Sequence, residues 1–123
     1  MTGLSPSQRA AARLRLAEER ERAEARLAAL QQDLESIISS SASAAGADDE
    51  HDPEGSSTAF DRQHVAALLA SAKEQLAAIA RAERRLDDGS YGRCERCGRE
   101  IGAERLAARP AAVTCVTCAA ARR

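Results

Sequence analysis

All four cysteines of the chain lie between Cys94 and Cys118, as two Cys-x-x-Cys pairs, Cys94/Cys97 and Cys115/Cys118, with 17 residues between them. That spacing lets four thiolates close a tetrahedral shell about one zinc ion, each sulfur about 2.3 Å from the metal. A tight Cys-x-x-Cys turn presents two sulfurs on one side, and Gly98, directly after the first pair, supplies the φ values such turns need. Four protein ligands leave no open position for water or substrate, so the expected work of the metal is structural. The other readings are disulfides, four independent thiols or a redox Cys-x-x-Cys. The last would need a βαβ setting, and none is visible. Residues 99–114 form an excursion between the pairs, with Ile101, Leu106 and Val113 as its few apolar groups. So small a core does not fold unaided. Zinc binding contributes on the order of 10–16 kcal/mol in small zinc peptides, so folding and metallation are expected to be one event. Arg93, Arg96 and Arg99 lie close enough in sequence to offset the formal charge of about −2 on a four-thiolate zinc centre.

The elements that carry this knob are helical. The chain has 123 residues and is 44% hydrophobic, but it has one Phe, one Tyr and no Trp, so bulky material for a globular core is scarce. Ser5-Pro6-Ser7-Gln8 is a helix start, with Ser5 as N-cap, Pro6 at the first helical position and Gln8 as capping-box partner. From there to about Ile38 nothing breaks a helix. Leu16, Ala23, Leu27, Leu30, Leu34 and Ile37 recur at coiled-coil spacing, and Arg20 interrupts this seam, which predicts loose packing there. Residues 39–57, with Gly46, Pro53 and Gly55, are expected to connect, although Ala42, Ala44 and Ala45 would let the first helix run on. A second start is expected at Thr58 with Asp61 as its box partner. Val65, Leu68, Leu69, Ala72, Leu76, Ile79 and Leu86 then mark a second amphipathic helix that ends near Asp88-Gly89. The fold class expected is mainly α: an antiparallel helical hairpin over residues 1–88, its tip at 39–57, and a four-cysteine zinc knob over 89–123. A coiled coil formed between chains would bury the same stripes.

Charge is unevenly spread although the formal net charge is −1. Residues 48–61 hold six acids and no Lys or Arg, whereas residues 81–123 hold ten arginines against six acids. The N-terminal stretch lacks the apolar run of a signal peptide and no segment is apolar enough to span a membrane, which makes the reducing cytoplasm the expected location and thiolate ligands the expected state of the cysteines. No paired nucleophile and base, glycine-rich phosphate loop or buried carboxylate site is identifiable, so an enzyme is not expected. His64 reads as a flank of the second seam and His51 as a solvated loop residue.

The stretch LDDGSYGRCERCGREIGAERLAARPAAVTCVTC, residues 86–118, resembles the four-cysteine zinc finger of the DksA/TraR family of bacterial transcription regulators. The likeness includes the Asp87-x-Gly89-x-Tyr91-Gly92 approach, Cys97-Gly98, the step from Ile101 to Arg105-Leu106, and Ala108-Arg109-Pro110. The resemblance implies a zinc knob carrying a long coiled coil that enters the secondary channel of RNA polymerase, tip toward the catalytic Mg²⁺, with the finger docked outside. On that reading Asp48, Asp49, Glu50, Asp52 and Glu54 form a working acidic tip, the protein acts as a monomer, and sequence-specific DNA binding is not expected. The chain departs from the family's Asp-x-x-Asp-x-Ala tip, since DPEGSS at 52–57 places Gly55 where the second acid stands. Five residues follow Cys118, so the C-terminal helix that helps some members bind guanosine tetraphosphate is not expected, and a nucleotide-independent mode is. Two other functions fit the residues: a DNA-binding finger using the basic end, and a coiled-coil adaptor capped by zinc.

Overall fold

In the computed structural model, which describes residues 4–47 and 53–121, helix α1 spans Pro6–Ala47 and helix α2 spans Pro53–Asp88. Two short helices follow, α3 over Ala103–Ala108 and α4 over Val116–Ala121. Among the described residues there is no strand, and extended pairing is limited to one antiparallel bridge between Arg93 and Glu100. The mainly α class is therefore as expected.

The start of α1 is the capping box read from sequence. The Gln8 amide donates to Ser5 Oγ at 3.1 Å, and the Ser5 amide donates back to Gln8 Oε1 at 2.8 Å. Two orphan N–H groups are thereby satisfied, and Pro6, which has none to offer, stands at the first helical position. The connection is shorter than expected. Both helices run into the segment 39–57 and take up all of it except residues 48–52. Pro53 is the first residue of α2, where its fixed φ suits the helix, so Thr58 and Asp61 lie inside the helix instead of starting it.

Contacts divide the chain into two compact units, Met1–Arg22 with Leu76–Arg123, and Ala23–Gln75. In the first, Ala12, Leu16, Ile79, Ala82 and Leu86 of the two helices are buried, as are Tyr91, Cys94, Ile101 and Leu106. Arg13 Nη1 donates to Asp87 Oδ1 at 3.2 Å, and Arg20 Nε donates to Glu83 Oε2 at 3.3 Å. Partner numbers fall along α2 as they rise along α1, so the helices are antiparallel here. Arg20 does not loosen the base as expected: Leu16, one turn before it, is fully buried, and the Arg20 guanidinium reaches across to the Glu83 carboxylate at the edge of the seam. In the second unit Ala23, Leu30 and Ala72 are buried, while Leu27, Leu34, Ile37, Val65, Leu68 and Leu69 are partly covered. The apolar stripes read from sequence are the buried faces, with Ala12 and Ala82 added.

At the end of α2 the amides of Ser90 and Tyr91 donate to the Arg85 carbonyl at 2.9 and 3.1 Å, closing the helix around Gly89 at φ +87°. An added Cβ at Gly89 would meet nothing within 4 Å. Gly89→Ala is therefore a test of backbone conformation alone. It should destabilise the zinc-loaded protein by about 1–2 kcal/mol, the cost of a left-handed non-glycine residue, as read by urea unfolding.

Candidate metal centre

The knob is built outward from the end of α2. Arg85 Nη2 donates to the Ser90 carbonyl at 3.0 Å and also reaches the Arg93 carbonyl, which ties the helix to the residue that precedes Cys94. Two rungs flank the Arg93–Glu100 bridge, Cys94 N–H to the Arg99 carbonyl at 2.7 Å and Ile101 N–H to the Gly92 carbonyl at 2.8 Å. Between them the chain reverses at the first cysteine pair. Gly98 takes φ +79° and its amide donates to the Cys94 carbonyl at 2.9 Å, the use of glycine that the sequence indicated. The Cys97 amide points at Cys94 Sγ and the Arg99 amide at Cys97 Sγ, both at 3.5 Å.

The second pair is held differently. Cys115 immediately precedes α4 and Cys118 lies within it, with the Ala119 amide donating to the Cys115 carbonyl at 2.9 Å. Helical spacing of three residues sets both sulfurs on one side. Arg105 of α3 donates through Nε to the Thr114 carbonyl at 2.8 Å, and the Glu95 amide donates to the Val113 carbonyl at 2.9 Å. Those two bonds bring the pairs together.

The four sulfurs lie within 4.8 Å of one another, and Cys97 Sγ and Cys115 Sγ are 3.8 Å apart. A tetrahedron with sulfurs about 2.3 Å from its centre has edges of about 3.8 Å, so the set fits one zinc ion. None of the four is in a disulfide. Cys94, 1% exposed, is covered by the knob, Cys97 is exposed, and Cys115 and Cys118 are intermediate.

The metal-free sulfurs cannot all ionise together. Burial pushes the Cys94 thiol up, but the backbone N–H groups of Cys97, Cys115 and Arg96 outweigh it and pull the thiol down to about 6. Cys115 is lowered, chiefly by the Cys118 amide. Cys118 is pushed up to about 12, first by its hydrogen bond with Cys115, then by burial and by the other sulfurs. Arg93, Arg96 and Arg99 are exposed around the first pair, but the shifts at Cys94, Cys115 and Cys118 come from amides, burial and the other sulfurs and not from the charge offset expected of these arginines.

The sequence profile of the prokaryotic dksA/traR C4-type zinc finger matches residues 89–123. Across the solved structures, transcription factor DksA2 from Pseudomonas aeruginosa is similar, with TM-score 0.78 and 26% identity over 96% of this chain and 84% of that one. Residues 89–123 are thus a dksA/traR C4-type zinc finger. No curated protein sequence matches it.

The residues that carry the DksA/TraR resemblance are those that build the knob. Tyr91 donates its hydroxyl to the Pro110 carbonyl at 2.7 Å in a buried bond, Arg105 holds Thr114, and Ile101 and Leu106 are buried beneath. Burial raises the Tyr91 hydroxyl above its ordinary range, an effect opposed by the Arg15 guanidinium of α1. Val113, the third apolar residue read from sequence, is only partly covered, and helix α3 was not anticipated. The roles of Arg85 and Tyr91 were also missed. Tyr91 left one signal, as the sole Tyr of a chain poor in aromatics, three residues before a ligand. Of the acidic tip, Asp48, Asp49, Glu50 and Asp52 lie outside the described residues, and Glu54 is the second residue of α2. No helix among the described residues is long and apolar enough to cross a membrane.

Proposed function

We propose that this DksA-like transcription factor acts on bacterial RNA polymerase by placing the end of its hairpin in the secondary channel, with the zinc finger docked outside. The observation that carries this reading is the likeness to transcription factor DksA2 over 96% of the chain, a span that takes in both long helices as well as the cysteine segment of this chain. In this reading residues 1–88 are the probe and residues 89–123 the platform. Cys94, Cys97, Cys115 and Cys118 hold one structural zinc. The ion supplies a rigid four-armed crosslink, and the chain's own amides orient the sulfurs that make it.

The acids Asp48, Asp49, Glu50, Asp52 and Glu54 are the working groups at the far end. Like charges crowded at a hairpin tip repel one another, a cost that basic residues or a metal of a partner would offset. The protein works as a cytoplasmic monomer, performs no catalytic step of its own and does not read DNA sequence.

Binding to polymerase core enzyme, with and without a second protein that occupies the secondary channel, tests the site. Saturable binding abolished by that competitor is the expected result, and binding indifferent to it would remove the channel from the reading. The tip is tested by Asp49→Ala with Asp52→Ala. Polymerase affinity should stay within roughly threefold while the effect on transcription falls about tenfold or more, since the docking surface is elsewhere. Unchanged transcription output would make the acids passive.

A further inference from the structure

A cleft of about 580 Å³ lies in the first unit, between the start of α1 and the finger. Its size is that of pockets that enclose a small molecule or a partner's side chains. Four glycines with left-handed φ, Gly89, Gly92, Gly98 and Gly102, all line it. An added Cβ at Gly89, Gly98 or Gly102 would meet nothing within 4 Å, so bare backbone is open to whatever enters. The N–H groups of Gly92 and Gly102 have no hydrogen-bond acceptor among the described residues. Tyr91 and Leu106 supply apolar surface.

Two cations share this cleft, Arg93 and Arg99, both exposed. Neither side chain makes an ion pair or hydrogen bond among the described residues, whereas Arg13, Arg20 and Arg22 are each matched to an acid. Glu100 also lines the cleft and stands on the rung opposite Arg93, yet the two form no ion pair. The lining therefore carries one cation in excess, with two guanidinium groups and two amide donors against a single carboxylate.

We infer that this cleft is the receptor for a carboxylate-bearing segment on the outer surface of RNA polymerase, bound through Arg93 and Arg99. The inference rests on the proposed polymerase reading and gives its docking step a chemistry. Guanidinium forks pair carboxylates bidentately, and glycine backbone allows the approach to be close. A charge-led contact of this kind also speeds encounter and weakens with salt.

The test uses the full-length zinc-loaded protein and polymerase core enzyme. Arg93→Gln with Arg99→Gln should weaken binding about tenfold or more and flatten its salt dependence, with zinc content and helicity unchanged. Arg96→Gln with Arg109→Gln removes the same charge from exposed finger positions outside the cleft, and should cost no more than about twofold. Equal weakening by the two pairs, or none by the first, overturns the cleft while leaving polymerase binding intact. Failure of the unaltered protein to bind overturns both. Independently of polymerase, an octaglutamate peptide should shift the amide resonances of Gly92 and Gly102, and the absence of any shift there overturns the carboxylate assignment.

Discussion

Cys97→Ser should release the zinc and unfold residues 89–121 while leaving the greater part of α1 and α2 helical. Cys97 is the informative ligand because it is exposed, so its replacement opens no cavity; the same change at Cys94, which is buried, would mix metal loss with a packing defect. What remains without the ion is a finger core of Tyr91, Ile101 and Leu106. Metal binding supplies on the order of 10–16 kcal/mol in structural zinc sites, far above what those three side chains contribute at about 1.5–3 kcal/mol each. The readouts are zinc per chain and the dispersion of finger amide resonances. One tightly held zinc with native finger signals would refute the four-thiolate assignment. Acidification should imitate the substitution. With Cys118 pushed up to about 12, the metal-free finger holds a proton at neutral pH that zinc must displace, so affinity rises with pH. Cys94, pulled down to about 6, adds a further proton to displace as the pH falls through that value, which steepens the loss of zinc on the acid side. Zinc affinity measured from pH 5 to 8 checks both the sign and the steepening.

Leu16→Ala should destabilise the zinc-loaded protein by about 2–5 kcal/mol, the range for truncating a buried leucine in a core that cannot collapse onto the gap. Leu16 is 0% exposed and Ile79 of α2 is 1% exposed, both in the unit that includes the finger. Two residues earlier on the same helix, Leu14 is 62% exposed, and Leu14→Ala should change stability by less than about 0.5 kcal/mol. The contrast isolates burial from helix propensity, because both variants gain the same alanine. Urea unfolding followed by circular dichroism separates them, and similar midpoints would place the base of the hairpin outside the cooperative core.

The glycine that ends α2, the capping box at Ser5 and Gln8, the apolar stripes and the two cysteine pairs were all legible in the sequence, because each depends on residues a few positions apart. A three-residue spacing sets two sulfurs side by side, and a heptad-like spacing sets leucines in a row, whatever the rest of the chain does. Tertiary structure decided what depends on distant partners. Arg20 looked like a defect in a seam until Glu83, 63 residues on, took its charge at the edge. Gly55 and Thr58 looked like a loop and a helix start, but a helix begun at Pro53 runs through them, since the helix cost of a single glycine is only about 1 kcal/mol. The finger shows the same division. Sequence named its four clustered cysteines, whereas the bonds that close it, Tyr91 to Pro110, Arg105 to Thr114 and Arg85 to Arg93, join a side chain to a carbonyl 19, 9 and 8 residues away. Every residue has a carbonyl, so no residue type marks the acceptor, and only the folded chain shows which one each donor meets.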